Sequence, residues 1–326
     1  MNELIVFGAA VIGGLVALVW SAGLFVDGAA CLAKILGLPT LLIGMVIVGF
    51  GTSMPELTVS ALSAAAGSPA IALGNAVGSN IVNIGLILGL TALIKPIAVA
   101  SSIVRRELPV LLGVSALGGL LFLDGALSRL ESGVYLALFA AIMGLTIRTA
   151  LRGKGDELEA EYAENLSEKR MGPAKATMAT LIGLAVLVLS SRALVWGAVG
   201  IARGFGVSEL VIGLTIVALG TSLPELASSI AAARKGEHDL ALGNVIGSNF
   251  FNTLAVIGLA GAIRPIEAGK AALARDWGVM LGMTVLLLVM GMGIKRPGRI
   301  SRLEGAALIL IYAVYIAVVA LAPVAA

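Results

Sequence analysis

A seven-residue block occurs twice in this chain at an offset of 169, and each copy lies inside an apolar stretch. Gly51-Thr-Ser-Met-Pro-Glu-Leu57 returns as Gly220-Thr-Ser-Leu-Pro-Glu-Leu226, with six of seven residues identical. A second block keeps the same offset: Leu73-Gly-Asn-Ala-Val-Gly-Ser-Asn-Ile-Val-Asn83 returns as Leu242-Gly-Asn-Val-Ile-Gly-Ser-Asn-Phe-Phe-Asn252, with seven of eleven identical. Lys95-Pro96 matches Arg264-Pro265, and Arg106-Glu107 matches Arg275-Asp276. Composition bias does not hold Pro, Glu and Asn in register over such a distance, so the chain reads as a duplication.

The surroundings of the blocks fix the environment. Only 13% of residues are charged and 59% are hydrophobic, with a mean hydropathy of +1.05, against roughly 25% charged residues in soluble chains. The charges cluster, leaving apolar stretches of about 20 residues, enough to cross a bilayer as helices. The fold class is an all-α polytopic membrane protein. Ten spans are expected, at about 4–33, 39–66, 69–94, 107–123, 131–149, 175–202, 208–233, 239–263, 275–294 and 303–323. The polar segment 150–174, rich in Glu and Lys, reads as a solvated linker between a first repeat, 1–149, and a second, 175–326. Five spans separate equivalent points, an odd number, so the second half enters the membrane upside down. Such inverted repeats characterise secondary transporters, whose sites lie near the midplane where the halves meet.

The net charge of +3 is topological rather than a nucleic-acid signal. Sixteen Lys and Arg residues fall on the side of the first connection and five on the other, which places both termini outside the cytoplasm. The short loops point to a prokaryotic plasma (inner) membrane. The first span begins almost at Met1, with Glu3 and no basic leader, so no cleaved signal peptide is expected. A single cysteine, Cys31, excludes an intrachain disulfide, and the only histidine, His238, reads as a loop residue. Asp27 and Arg192, on or near the long spans 4–33 and 175–202, either pair or reach to the helix ends. Those two spans are long enough to tilt strongly and could slide across the site.

Each first block puts one carboxylate, Glu56 or Glu225, in the middle of a span that has basic residues only at its ends. A mid-membrane charge costs about 2.5–3.5 kcal/mol or more, and such residues usually face the protein interior and do work. Pro55 and Pro224 precede them and free the carbonyls of Gly51 and Gly220, so both helices should break beside the Glu. The broken turns hold Thr52, Ser53, Thr221 and Ser222. Hydroxyls, carbonyls and carboxylates are hard oxygen ligands of the kind Ca²⁺ and Na⁺ require. In the second block Ser79 and Asn83, and their repeats Ser248 and Asn252, are spaced i, i+4 on one helix face and read as further ligands. The flanking glycines, with Asn80 and Asn249, suit close helix packing.

The paired Gly-Thr-Ser-x-Pro-Glu and Gly-Asn-x-x-Gly-Ser-Asn-x-x-Asn blocks resemble the two α-repeats of the calcium/cation antiporter superfamily, in its prokaryotic sodium/calcium exchanger branch, over nearly the whole chain. The resemblance implies ten helices around four central ion sites, with no enzyme activity and no cofactor. It implies that Glu56 and Glu225 bind Ca²⁺ with Thr52 and Thr221. The Na⁺ sites would add Ser53, Ser79, Ser222, Ser248 and carbonyls near Gly49 and Ala218, with Asn83 and Asn252 facing the centre. The partners are then Ca²⁺, Na⁺ and the bilayer, without an obligate protein partner. Many relatives carry Asp where this chain has Asn252, so one titratable charge is lost and potassium coupling is disfavoured. The two remaining carboxylates match one Ca²⁺, while three Na⁺ leave a net positive charge. Their mutual repulsion also invites protons to compete at low pH.

The alternative is a Ca²⁺/H⁺ antiporter on the same fold, although the Gly-Asn-x-x-Glu block usual in that branch is missing. Exchange of another divalent ion is a further alternative, with Mg²⁺ disfavoured because it dehydrates reluctantly. A cation channel is a weaker reading, since broken helices in inverted repeats suit a carrier. An intramembrane protease is a poor fit, because a Ser nucleophile needs a base and the one His reads as lying in a loop.

Overall fold

The computed structural model describes residues 2–152, 171–205, 218–267, 270–292 and 298–321. It is helical throughout apart from two short β-pairs. In chain order the elements are α1 (Asn2–Leu36), α2 (Thr40–Thr52), α3 (Met54–Ala65), α4 (Pro69–Ile94) and β1 (Ile97–Ala98). Then come α5 (Leu108–Leu121), preceded by a π-turn at Ile103–Glu107, β2 (Ala126–Leu127) and α6 (Arg129–Arg152). The second half contains α7 (Pro173–Gly204), α8 (Ala218–Thr221), α9 (Leu223–Lys235), α10 (His238–Ile263), β3 (Ile266–Glu267), α11 (Lys270–Met292), β4 (Arg299–Ile300) and α12 (Arg302–Leu321).

Seven of these helices are long and apolar enough to cross a membrane, and the bent pair α2–α3 makes an eighth. The chain is a multi-pass membrane protein. Of the other two expected spans, one corresponds to Ile103–Leu121, whose first turn is π-helical. The other is α8–α9, whose expected beginning at 208 lies outside the described residues, as do most of the linker and the ends of the last two spans. The linker's edges are helical rather than solvated coil: α6 continues to Arg152 and α7 starts at Pro173. His238 is the first residue of α10 rather than a loop residue, half-buried and with Nδ1 unpartnered.

The core forms around α4 and α10, the two most buried of the long helices. Helix α3 lies on α4 and α9 lies on α10, while α12 covers α4 and α6 covers α10. The β-pairs cross-connect the halves reciprocally. β1 pairs with β4, matching Ile97 with Ile300, and β2 pairs with β3, matching Leu127 with Ile266. Position 97 is equivalent to 266 by the repeat offset, so each half supplies one matching strand to each pair.

Helices α1 and α7 pack against each other along their lengths, antiparallel. At about 1.5 Å per residue each is near 50 Å long, well beyond the roughly 30 Å hydrocarbon thickness. Glycines permit the contact. A Cβ on Gly28 would lie 2.5 Å from the Thr180 backbone nitrogen, and one on Gly183 would lie 2.7 Å from the backbone of Phe25. A Cβ on Gly14 or Gly197, their repeat equivalents, would lie 3.0 Å from Leu194 or 2.6 Å from the Phe7 carbonyl. Asp27 on α1 pairs with Lys235 at 2.7 Å, whereas Arg192 is exposed on α7. The pairing of Asp27 therefore ties α1 to α9 rather than to α7.

Overpacking a close contact costs typically about 1–3 kcal/mol. Gly28→Ala and Gly183→Ala should each lower the thermal unfolding temperature in detergent. Gly13→Ala should not lower it, since Gly13 is exposed on the same helix with nothing within 4 Å of its missing Cβ and Ala is the better helix former.

Candidate functional site

Both duplicated blocks break their helices at the serine before Met54 or Leu223. Ser53 has φ −85° and ψ 7°, and Ser222 has φ −91° and ψ 6°. Proline at the second position of α3 and of α9 cannot donate to the preceding turn, so the helix restarts there in a new direction. The bend between α2 and α3 is 45°. Glu56 and Glu225 stand in the first turns of the restarted helices, each only 1% exposed.

The two halves exchange hydrogen bonds at this point. Ser53 Oγ donates to Glu225 Oε1 at 2.9 Å, and Ser222 Oγ donates to Glu56 Oε1 at 3.3 Å. Thr52 also lies against Glu225, and Thr221 against Glu56. The second oxygen of each carboxylate, Oε2, is buried without a hydrogen-bond partner. No cationic side chain reaches either carboxylate among the described residues. Leaving a buried charge unpaired costs several kcal/mol, so one unpartnered oxygen on each of the two carboxylates is a strong demand for a cation.

Residues of the second blocks complete the surroundings. Asn83 opens a π-turn in α4 (Asn83–Leu88), and Asn252 lies in the corresponding π-turn of α10 (Phe251–Val256). Single π-turns within helices occur frequently at functional sites. Both asparagines are 1% exposed. Asn83 donates to Asn249 Oδ1 at 2.9 Å and keeps its own Oδ1 unpartnered. Neither amide atom of Asn252 has a partner. Ser79 and Ser248 are buried, and Ser248 Oγ donates to the Gly49 carbonyl at 3.3 Å. That carbonyl sits at the end of a third π-turn, Gly44–Gly49 in α2. Ala218 begins α8. The Gly220 carbonyl, freed by Pro224, accepts the Ser191 hydroxyl at 2.8 Å and is thereby occupied by α7.

Several residues here carry no ligand role in the sequence reading. Asn75 and Asn244, repeated at the same offset, fasten the backbones of the two glutamates: Asn75 Nδ2 donates to the Glu56 carbonyl and Asn244 Nδ2 to that of Glu225. Their repetition was visible as the Gly-Asn pair of each block, but a backbone clamp has no spacing signature. Ser191 and Thr253, which bind the Gly220 carbonyl and the Asn80 amide, lack even the repetition of a motif. Among the described residues no cluster of three or more His, Cys, Asp or Glu could hold a metal. The arrangement is instead two carboxylates within neutral oxygens, suited to an ion that enters and leaves.

The known proteins that this chain matches agree with that chemistry. A family described as "Sodium/calcium exchanger protein" matches residues 6–148 and 175–321. The putative antiporter CaxA of Alkalimonas amylolytica is 46% identical over 94% of this chain and 96% of its own length. The inner membrane protein YrbG of Escherichia coli is 40% identical over 89% of this chain and 90% of its own. The solved structure of the sodium-calcium exchanger NCX_Mj superposes with a TM-score of 0.84 at 29% identity, covering 97% of this chain and 99% of that one. The family consists of transporters rather than enzymes, and this chain belongs to the sodium/calcium exchanger family.

Proposed function

We propose that the protein is a secondary antiporter that exchanges Ca²⁺ for Na⁺ by alternating access at a midplane site built on Glu56 and Glu225. The observation that carries this reading is the pair of buried, unpartnered carboxylate oxygens, Glu56 Oε2 and Glu225 Oε2. Two negative charges without a fixed counter-ion match one Ca²⁺, which takes 6–8 oxygen ligands. Thr52, Thr221 and the carbonyl oxygens of Asn83 and Asn252 supply neutral ligands. Ser53, Ser79, Ser222 and Ser248, with carbonyls near Gly49 and Ala218, serve Na⁺. Because Ca²⁺ and Na⁺ compete for the same two charges, occupancy by either neutralises the pair and lets the carrier reorient. The empty carrier holds two repelling charges in a low-dielectric centre and stays where it is. Asn252 contributes an oxygen without a charge, which favours coupling to Na⁺ without K⁺.

The same reading assigns ten spans in two inverted repeats, 1–149 and 175–326, joined by the linker 150–174. It is supported by the constant offset between the blocks and by the reciprocal bonds between Ser53, Ser222 and the opposite carboxylates. Both termini lie outside the cytoplasm, and the membrane is the plasma (inner) membrane. The Escherichia coli relative is itself named an inner membrane protein.

The decisive experiment reconstitutes the protein in Na⁺-loaded liposomes and follows radioactive Ca²⁺ uptake after dilution into Na⁺-free buffer, beside vesicles carrying a proton gradient, with and without K⁺. Uptake driven by the Na⁺ gradient alone is expected. Uptake under the proton gradient only would assign the chain to proton coupling, and uptake without any gradient dependence would indicate a channel. Glu56→Gln and Glu225→Gln should each abolish uptake while the protein still folds, and wild-type rates in either would refute the site. An alkaline phosphatase fused to the C-terminus should be active in cells; an inactive fusion alongside a fluorescent green fluorescent protein fusion would reverse the orientation.

A further inference from the structure

Asn244 is 1% exposed on α10 and uses both ends of its amide. Its Nδ2 faces three acceptors: the Glu225 carbonyl at 3.1 Å, Ser228 Oγ at 3.0 Å and Ser229 Oγ at 2.7 Å. Its Oδ1 accepts from the Thr52 hydroxyl of the other half at 3.1 Å. A carbonyl oxygen can only accept, so turning the amide over would set Oδ1 against the Glu225 carbonyl, oxygen against oxygen. The surroundings therefore fix which end of the amide meets Thr52.

The orientation of Asn244 has a consequence for Thr52. Every hydrogen-bond neighbour of its hydroxyl is an acceptor: the Val48 carbonyl at 3.0 Å, the Gly49 carbonyl at 3.4 Å, Asn244 Oδ1 and the Glu225 carboxylate. The Gly49 carbonyl already takes the Ser53 N–H and the Ser248 hydroxyl. A hydroxyl that gives its one proton to such neighbours keeps both lone pairs, which is what a cation ligand needs. Of the neutral acceptors, Asn244 Oδ1 alone comes from another helix, and its orientation is held by two N–H donors shared among three acceptors.

We propose that Asn244 is a positioning residue for Ca²⁺: a single amide joins the Glu225 backbone of one half to the Thr52 hydroxyl of the other and keeps that hydroxyl turned to offer lone pairs. The inference rests on the ion-site reading given above. Asn75 holds the equivalent position in the first half, yet it is only half-buried and fastens to Ser60 without a second serine, because Val59 stands where Ser228 does. The second clamp is the tighter one.

Ca²⁺ binding to purified protein in Na⁺-free detergent buffer, measured by titration calorimetry, tests the proposal. Replacing a residue that orients a metal ligand costs typically about 10–100-fold in affinity. Asn244→Leu, close in volume, should raise the Ca²⁺ Kd at least about 10-fold in the wild-type background. In a Thr52→Val background, where the hydroxyl to be oriented is gone, it should change Kd less than about 2-fold, since groups acting through one contact are not additive. Equal losses in both backgrounds, or none in either, overturn the proposal. The double variant Ser228→Ala/Ser229→Ala leaves Asn244 in place but loosens its orientation. It should weaken Ca²⁺ binding in the same direction, and an unchanged Kd there overturns the orientation argument. Wild-type Kd in both Glu56→Gln and Glu225→Gln would remove the site reading itself, an outcome distinct from failure of the Asn244–Thr52 coupling.

Discussion

Two carboxylates buried at the centre of an apolar protein, each held by a hydroxyl from the opposite half, set the terms for the rest of the structure. A lone carboxylate there would be among the most unfavourable groups the chain could bury. Ser53 and Ser222 meet only one oxygen of each. The other oxygens remain unpartnered, so the site is incompletely satisfied by the protein alone. That is the property a carrier needs. A site fully satisfied by its own hydrogen bonds would have no reason to bind an ion, and one holding a fixed Lys or Arg would bind it weakly.

The backbone around the site is irregular. The breaks at Ser53 and Ser222 release carbonyl oxygens from helical bonding; Ser191 takes one of them, that of Gly220. Non-helical backbone at membrane depth is tolerated only when it is buried in protein or lines a cavity, and here α4 and α10 enclose it. The close fit of α2 against α10 depends on glycine. A Cβ at Gly247 would meet the Met45 carbonyl, and one at Gly243 would meet the Leu41 carbonyl. These contacts bring the π-turn of α2 and its Gly49 carbonyl up to Ser248. Packing of small residues and placement of these oxygens are thus the same feature of the sequence.

Much of this was legible from residues. The offset of 169, the proline beside each Glu and the hydroxyls in the turn locate both breaks and most of the oxygen-bearing side chains from sequence alone. They do so because proline chemistry is local and a charge in an apolar span has few explanations. The π-turns at Asn83 and Asn252 were not legible, since an extra residue in a helical turn leaves the apolar pattern nearly unchanged. The Asn244 clamp escaped for a different reason. Its three acceptors and its link to Thr52 join segments far apart in sequence, and an Asn among glycines reads equally well as packing. The pairing of Asp27 with Lys235 was likewise non-local, and the sequence offered Arg192 as a partner only because it lies on the matching long helix.

That ion pair also marks where the two-fold relation of the halves ends. The repeat equivalents of Asp27 and Lys235 are Trp196 and Ala66, which cannot form an ion pair. Trp196 instead meets the edge of Phe7 with ring centroids 4.9 Å apart. Lys235 additionally donates to the Gly23 carbonyl at 2.6 Å, so α1 is fastened to the end of α9, whereas the Trp196–Phe7 contact joins α7 to α1. The pair is about a third exposed on both sides, and an exposed pair contributes at most about 1 kcal/mol. Glu237 adds to the same corner: burial pushes its carboxyl above the usual range, while Lys34 and Lys235 draw it back and Asp27 pushes it up. The chemistry at the centre is nearly symmetric, and the charges that distinguish one end from the other sit at the rim, away from the two buried carboxylates.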